Sequence, residues 1–308
     1  MRPSVPAVEL TKSLSLTIEE ENLLDMHSVL NVCNVVLFEL FLLGKAVGDT
    51  PELEEAMAQV TRVADSLSDP EAAHLAVEEI ESFIGTLQRA VEGSVSKVPG
   101  AASRVEVIES RANLESIFDI LRVRAREISA RSRDPDAWVE HDVEELRNNF
   151  LHVFRAIEKN SKGGYRIVYN LAQHEEGDYY VNLQISSVQG STIRMPAIFQ
   201  DVMRDLIANA RKYTAPGGRI EAALFQAESS LNFVVEDSGR GIPSDELAEL
   251  VDFGVRGANV GDRPTRGGGF GLTKAYYVTR KFAGRMWVAS ELGAGTRIEI
   301  RLPVPGAG

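Results

Sequence analysis

Three groups of residues late in the chain have the types and spacing that nucleotide chemistry requires. The first is Asp205-Leu-Ile-Ala-Asn209-Ala-Arg-Lys212-Tyr213. Leu206, Ile207 and Ala210 supply apolar positions on a helix, so Asp205, Asn209 and Lys212 (i, i+4, i+7) share the opposite face. Mg²⁺ takes oxygen ligands in octahedral geometry and keeps company with phosphates, and a neutral Asn oxygen adds a ligand without repelling them. Alone, such a stripe reads as an ordinary solvated helix face. The second group is Asp237-Ser-Gly239-Arg-Gly241-Ile242-Pro243, directly after the strand-like run Leu231-Asn-Phe-Val-Val-Glu236. A carboxylate at a strand end can accept a hydrogen bond from the exocyclic amine of adenine, a donor that guanine does not present there. Gly239 and Gly241 let the backbone turn close to a base without a Cβ clash, although a bare Asp-x-Gly-x-Gly is more often only a turn. The third is Arg263-Pro-Thr-Arg-Gly267-Gly-Gly269-Phe270-Gly271-Leu272-Thr273, a glycine loop running into a helix. Exposed N–H groups and a helix N-terminus both favour phosphate anions. In this order, closed by Gly293-Ala-Gly295-Thr296, the three describe one nucleotide site.

The elements that must position them fall in two blocks. The block 1–160 reads as helices: a long run from Leu16 to Val47, shorter ones at 52–67 and 70–93, then 104–131 and 136–159. Val143, Leu146, Phe150, Val153 and Ile157 form a clean seam on the last of these, as helices packed side by side in a bundle require. Ser161-Lys-Gly-Gly164 marks a boundary, giving domains at 1–160 and 161–308. Beyond it, β-rich runs at 165–172, 179–186, 219–226, 231–236, 285–290 and 296–302 are interleaved with helices at 196–213, 243–253 and 271–282. The alternation is not a regular βαβ repeat, so the fold class is an α bundle followed by an α/β domain with a mixed sheet and its helices on one face.

The motif set resembles the ATP-binding domain shared by sensor histidine kinases, gyrase, Hsp90 and MutL, the GHKL superfamily, and most resembles the histidine kinases. The likeness is strong over 165–303 and loose over 1–160. It implies an α/β-sandwich ATPase with ATP and Mg²⁺ as cofactors and Asn209 as the metal ligand. It implies phosphate contacts from Lys212 and Tyr213, and further ATP contacts from Gly239, Gly241, Ile242, Gly267, Gly269, Phe270, Gly271 and Leu272. Asp237 would read adenine with Thr296 in support, and the segment 254–270, with Arg256, resembles the mobile lid that closes over ATP. The first block would then be a dimerising bundle carrying the phosphoacceptor histidine, and the partner a response-regulator receiver domain.

Of the five histidines, His27 fits that role best. His27, Asn31 and Asn34 lie on one face of an otherwise apolar helix, a polar stripe expected at a bundle surface. Asn31 takes the place where relatives carry the Thr or Asn that orients water for phosphatase activity. Relatives usually have an acid directly after the histidine; here Ser28 stands there, so Asp205 or another carboxylate must substitute. His141-Asp142 has the acid and is the main competitor, expected on the outermost face of its helix. His152 has no acid beside it, and His74 and His174 have no motif around them. His27 also lies farther before Asn209 than is usual in the resembled family, which extra helices would explain. The expected function is an ATP-dependent protein histidine kinase passing phosphate to a response-regulator aspartate. The alternatives are a protein serine kinase of the pyruvate-dehydrogenase-kinase type and an ATP-switched scaffold or phosphatase.

A net charge of −12 gives no general attraction to nucleic acid or anionic membranes. The single Cys33 excludes an internal disulfide framework, suits a reducing cytoplasm and reads as core packing. The apolar run from Val29 to Gly44 carries Asn31, Asn34 and Glu39, and is too short and too polar to span a bilayer. The opening Met1-Arg-Pro-Ser-Val-Pro has no signal-type apolar run. A soluble, cytoplasmic protein is therefore expected, sensing through its own helices or a separate sensor protein. Val29 to Leu43 is apolar on more faces than one neighbour could bury, which predicts a homodimer.

Overall fold

The computed structural model describes residues 5–48, 50–160, 164–255 and 269–306, so Arg256 and Gly267 lie outside the described residues. It divides into two compact units, one formed by Leu16–Pro135 and the other by Met1–Ser15 with the chain from Asp136 onward.

The first unit is a five-helix bundle: α1 (Ile18–Val47), α2 (Pro51–Ser66), α3 (Pro70–Glu78), α4 (Ile80–Lys97) and α5 (Val105–Ser132). Local chemistry sets the helix starts. At α1 a capping box forms, with Thr17 Oγ1 accepting from the Glu20 N–H at 3.2 Å and Glu20 Oε2 from the Thr17 N–H at 2.9 Å. Thr50 and Asp69 cap α2 and α3, each followed by a proline that has no N–H to lose. The run expected at 70–93 is two helices that meet at Glu79.

α1 and α5 are antiparallel. Arg131 Nη2 donates to Asp25 O at 2.8 Å near one end, and Arg104 Nη1 to Ala46 O at 2.6 Å near the other. Between these ends Asn113 donates to the buried Glu39 at 3.1 Å. The three short helices are thus inserted within a long helical hairpin, which accounts for the distance along the chain from His27 to Asn209. Cys33, Val36, Leu40 and Leu43 of α1 meet Leu53, Ile84, Leu87, Leu114 and Phe118 in one core, and burial pushes the Cys33 thiol up to about 12. By length and composition α1 would suffice to cross a membrane, which the run from Val29 to Gly44 did not indicate; over half of its most apolar stretch is buried inside the chain.

The second unit is built on the strands β1 (Val8–Glu9), β3 (Ile167–Val168), β4 (Tyr179–Ser187), β6 (Arg219–Gln226), β7 (Ser230–Asp237), β8 (Arg285–Glu291) and β9 (Gly295–Pro303). They form a seven-stranded sheet in the order β1-β8-β9-β7-β6-β4-β3. β3, β4 and β6 run parallel and the other neighbours antiparallel, so the sheet is mixed. Inward positions alternate strictly: Val181 and Leu183, Ile220 and Leu224, Leu231, Phe233 and Val235, Ile298, Ile300 and Leu302. They pack under α6 (Val143–Asn160), α7 (Phe199–Tyr213) and α8 (Phe270–Lys281), all on one face. The helix expected at 243–253 appears as consecutive turns over 244–251.

Two expectations are corrected. The boundary falls at 135/136 rather than 160/161, because Val143, Leu146, Phe150 and Phe154 join the core of the sheet, not that of the bundle. Val153 and Ile157 of the seam lie outside the described side chains. Residues 136–142 are not helical: β2 (Trp138–Asp142) pairs with β5 (Thr192–Pro196), and Asp142 Oδ1 accepts the Glu145 N–H at 2.8 Å, starting α6 there. The second correction is at the chain start. β1 adds to the sheet beside β8, Arg285 forks onto Glu9, and Tyr276 Oη donates to Lys12 O at 2.6 Å. The helical unit is therefore inserted after the first strand of the α/β unit.

Candidate nucleotide site

α7 is amphipathic. Phe199, Val202, Met203, Leu206, Ile207 and Ala210 are buried, which leaves Asp205, Asn209 and Lys212 half-buried along one line. At the C-terminal end of the helix the first two motifs are joined directly. The Arg240 N–H donates to Tyr213 O at 3.2 Å, and a Cβ on Gly239 would lie 2.5 Å from that same oxygen. Gly239 is thus required by close approach, and Lys212 rests over the Tyr213 ring at 5.0 Å.

Asp237 ends β7, where its backbone pairs with Thr296 of β9. Its Oδ1 accepts the Gly239 N–H at 2.8 Å. Burial raises the Asp237 carboxyl from 3.8 to about 6, against the lowering effect of hydrogen bonds from the Gly239 and Thr296 backbones. A carboxylate held this way is partly desolvated and gains when a ligand donor reaches it.

Ser290, which the motifs do not include, ties the Asp237 end of the site together. Its Oγ accepts the Ile242 N–H at 2.7 Å and donates to Gly295 O at 3.0 Å. Its one proton is therefore committed, and Thr296 Oγ1, 2.8 Å away, must donate to it. Thr296 supports Asp237 through its backbone, whereas its hydroxyl serves Ser290. The signal for Ser290 in the sequence is slight: a small hydroxyl residue at the end of a strand, before Gly293-Ala-Gly295. Gly295, at φ +111°, could carry a Cβ only 1.9 Å from Asp237 O, so only glycine fits.

α8 brings in the third motif. Gly269 caps it at φ +82°, Phe270 stacks on Phe253 at 4.7 Å, and Thr273 Oγ1 donates to Asp252 O at 3.0 Å. A Cβ at Gly271 would lie 2.9 Å from Asn209 Nδ2 and 3.6 Å from Asp205 Cβ. The first turn of α8 therefore sits directly on the two polar residues of α7. Asp205, Asn209, Lys212, Tyr213, Asp237, Gly239, Gly241, Ile242, Gly269, Phe270, Gly271, Leu272 and Thr296 all belong to this α/β unit. Among the described residues no cluster of His, Cys, Asp and Glu could hold a metal unaided. A Mg²⁺ ion here would need phosphate oxygens beside Asn209, as its neutral side chain implies.

The histidines stand differently from expectation. His27 is in the bundle unit and only 6% exposed, with Nε2 3.2 Å from Asn31 Nδ2. The stripe His27/Asn31/Asn34 is thus not an open surface. The exposed face of α1 carries Val35, Phe38 and Phe41 instead, because α5 and α2 pack along its other sides. His141 lies on β2, not on an outer helix face, and its Nδ1 is 3.1 Å from Gln200 Nε2.

Residues 195–306 match the family model described as histidine kinase-, DNA gyrase B-, and HSP90-like ATPase. The adaptive-response sensory kinase SasA of Synechococcus elongatus is 29% identical over 274 residues, which cover 86% of this chain and 63% of the relative. The sensor histidine kinase RppB of Synechocystis is 36% identical over 103 residues, 33% of this chain and 23% of the relative. Among solved structures, the mycobacterial sensor histidine kinase MprB aligns at 21% identity and a TM-score of 0.39, covering 54% of this chain and 97% of that one. The chain thus spans less than two thirds of the length of these two curated relatives. The matched segment contains Asn209, Asp237 and Gly271 in the arrangement described above, and over that segment the chain is similar to the ATPase domain of sensor histidine kinases.

Proposed function

We propose that the chain is an ATP-dependent protein histidine kinase that phosphorylates His27 and passes the phosphate to an aspartate on a response-regulator receiver domain. The observation that carries the reading is the convergence of Asn209, the Asp237 turn and the first turn of α8 on one face. Asp237 accepts the adenine amine, and the α8 N–H groups and Lys212 take phosphate oxygens. Mg²⁺, when bound beside Asn209, neutralises phosphate charge. Asp205, one turn from Asn209, takes the orienting role that Ser28 cannot fill. Transfer forms a bond from Nε2 to the γ-phosphorus as the bond to the ADP oxygen breaks, so the His27 ring must first be released from Asn31.

The reading includes a homodimer through the bundle, supported by the exposed Val35, Phe38 and Phe41 (47–52% exposed) on α1. It also includes a cytoplasmic location, supported by the single buried free cysteine, and a separate sensor protein. The burial of His27 favours a second reading, an ATP-switched scaffold or phosphatase without autokinase activity. Labelling with γ-labelled ATP and Mg²⁺ separates the two. Acid-labile label lost in His27→Gln and kept in His141→Gln supports the kinase, and the reverse moves the acceptor to His141. ATP binding without label supports the switch, and acid-stable phosphoserine on a partner would identify a serine kinase.

A further inference from the structure

Beneath the nucleotide face, the α7–α8 seam holds a charge cluster for which nucleotide chemistry has no direct use. Asp201, Asp205 and Asn209 recur at i, i+4 and i+8, one line along α7. α8 lies against that line. Gly271 covers Asp205 and Asn209, and Lys274, one turn further on, places Nζ 3.3 Å from Asp201 Oδ2. Lys274 is fully buried and Asp201 is 3% exposed. Arg204 Nη1 holds the other oxygen of Asp201 at 3.0 Å, and its Nη2 donates to Gln200 Oε1 at 2.9 Å. Because arginine only donates, Gln200 must turn its amide nitrogen toward His141, whose Nδ1 accepts. The cluster is thus oriented throughout, from β2 across α7 to α8.

A buried lysine is a costly way to fill a helix seam. An apolar side chain of similar size would pack there without desolvating a charge, and buried ion pairs seldom add stability over such replacements. What they add is registry. An apolar seam tolerates small slips of one helix along another, whereas an ammonium and a carboxylate meet well at one setting only. Here that setting fixes where the N–H groups of residues 270–272 stand relative to Asn209.

We propose that Lys274 and Asp201 are a positioning pair for the phosphate end of the nucleotide. The pair holds α8 in register on α7, so that the first turn of α8 and the Asn209 side chain address the same phosphate group. Neither residue touches the nucleotide; both act through Gly271 and Asn209. The inference rests on the nucleotide reading of the site. The adenine end is held by other elements, the β7 turn and Ser290 on β8, so the two ends can be perturbed separately.

The test compares affinities for Mg·ATP and for adenosine, by calorimetry, in the unaltered chain and in Lys274→Met. The variant should bind Mg·ATP roughly tenfold or more weakly, as when charge-assisted phosphate contacts are misplaced, with adenosine affinity unchanged. Lys274→Arg, which keeps the charge, should recover most of the loss. If Lys274→Met does not fold, the double variant Asp201→Leu/Lys274→Met removes both charges from the seam and should show the same selective loss. Mg·ATP binding of unaltered strength in either folded variant overturns the proposal. So does a proportionate loss for adenosine and ATP, which is what a general loosening of the domain would give. Failure of the unaltered chain to bind either ligand would refute the nucleotide site itself, and is read without any variant.

Discussion

Asp237→Asn should make the empty protein more stable and a poorer ATP binder at once. The carboxyl moves from 3.8 to about 6 on folding because burial disfavours its charge. That shift is worth about 3 kcal/mol between the two protonation states. The sign follows from linkage. A raised folded value means stability that is fully present below pH 3.8 and is lost as pH rises through about 6, so at pH 7.5 the unaltered protein carries the whole penalty. Asparagine has no charge to desolvate. It keeps one acceptor for the Gly239 N–H but loses the carboxylate oxygen available to Thr296, at a cost of about 1 kcal/mol. The net expectation is a gain of about 2 kcal/mol at pH 7.5, shrinking as pH falls toward 4. Urea unfolding followed by tryptophan fluorescence reads the correct domain, because both tryptophans, Trp138 and Trp287, lie in the α/β unit. ATP affinity should fall roughly tenfold to a hundredfold as the adenine amine loses a charged acceptor. A variant less stable than the unaltered protein across pH 6–8 would show that Asp237 is not desolvated by the fold. A stabilised variant with undiminished ATP binding would show that Asp237 does not read adenine.

Asn209→Ala should abolish Mg·ATP-dependent activity while changing stability by no more than about 1 kcal/mol, since a polar face residue and not a core contact is removed; undiminished Mg·ATP affinity by calorimetry would refute the assignment. Gly295→Ala should destabilise on the order of 3 kcal/mol or more, because its Cβ would press on Asp237 O at 1.9 Å from a backbone at φ +111°, and thermal unfolding close to that of the unaltered protein would contradict this packing. Leu10→Ala should cost about 2–4 kcal/mol in urea unfolding, since Leu10 is buried in the sheet's core beside β1; a negligible change would mean that the N-terminal segment is not docked. Cys33 should resist aromatic disulfide reagents in the native state and react at the rate of unfolding, as a fully buried thiol held near 12 must.

The candidate nucleotide site is legible because its chemistry is local. Asn209 on a helix face, Asp237 at a strand end and Gly269-Phe-Gly271 before a helix each carry their reason within a few residues, and β4, β6, β7, β8, β9, α7 and α8 could be placed from periodicity alone. Ser290 escaped notice because its role is a three-way junction between the 237–242 turn, β8 and β9, none of which its neighbours in sequence announce. α6 shows the same division. Its seam of Val143, Leu146 and Phe150 was visible as an apolar stripe, but a stripe states only that a helix has a partner, and the structure supplies a sheet where a bundle was expected. His27 is the sharpest case. Local sequence marks a polar residue on an apolar helix, yet whether that side chain is open or enclosed depends on the helices packed around α1. Periodicity and motif spacing determine which residues share a face and what chemistry that face can do. Only the tertiary structure decides what covers it, because burial is set by elements distant in the chain: the helices packed around α1, the N-terminal strand beside β8, and Lys274 of α8 meeting Asp201 of α7.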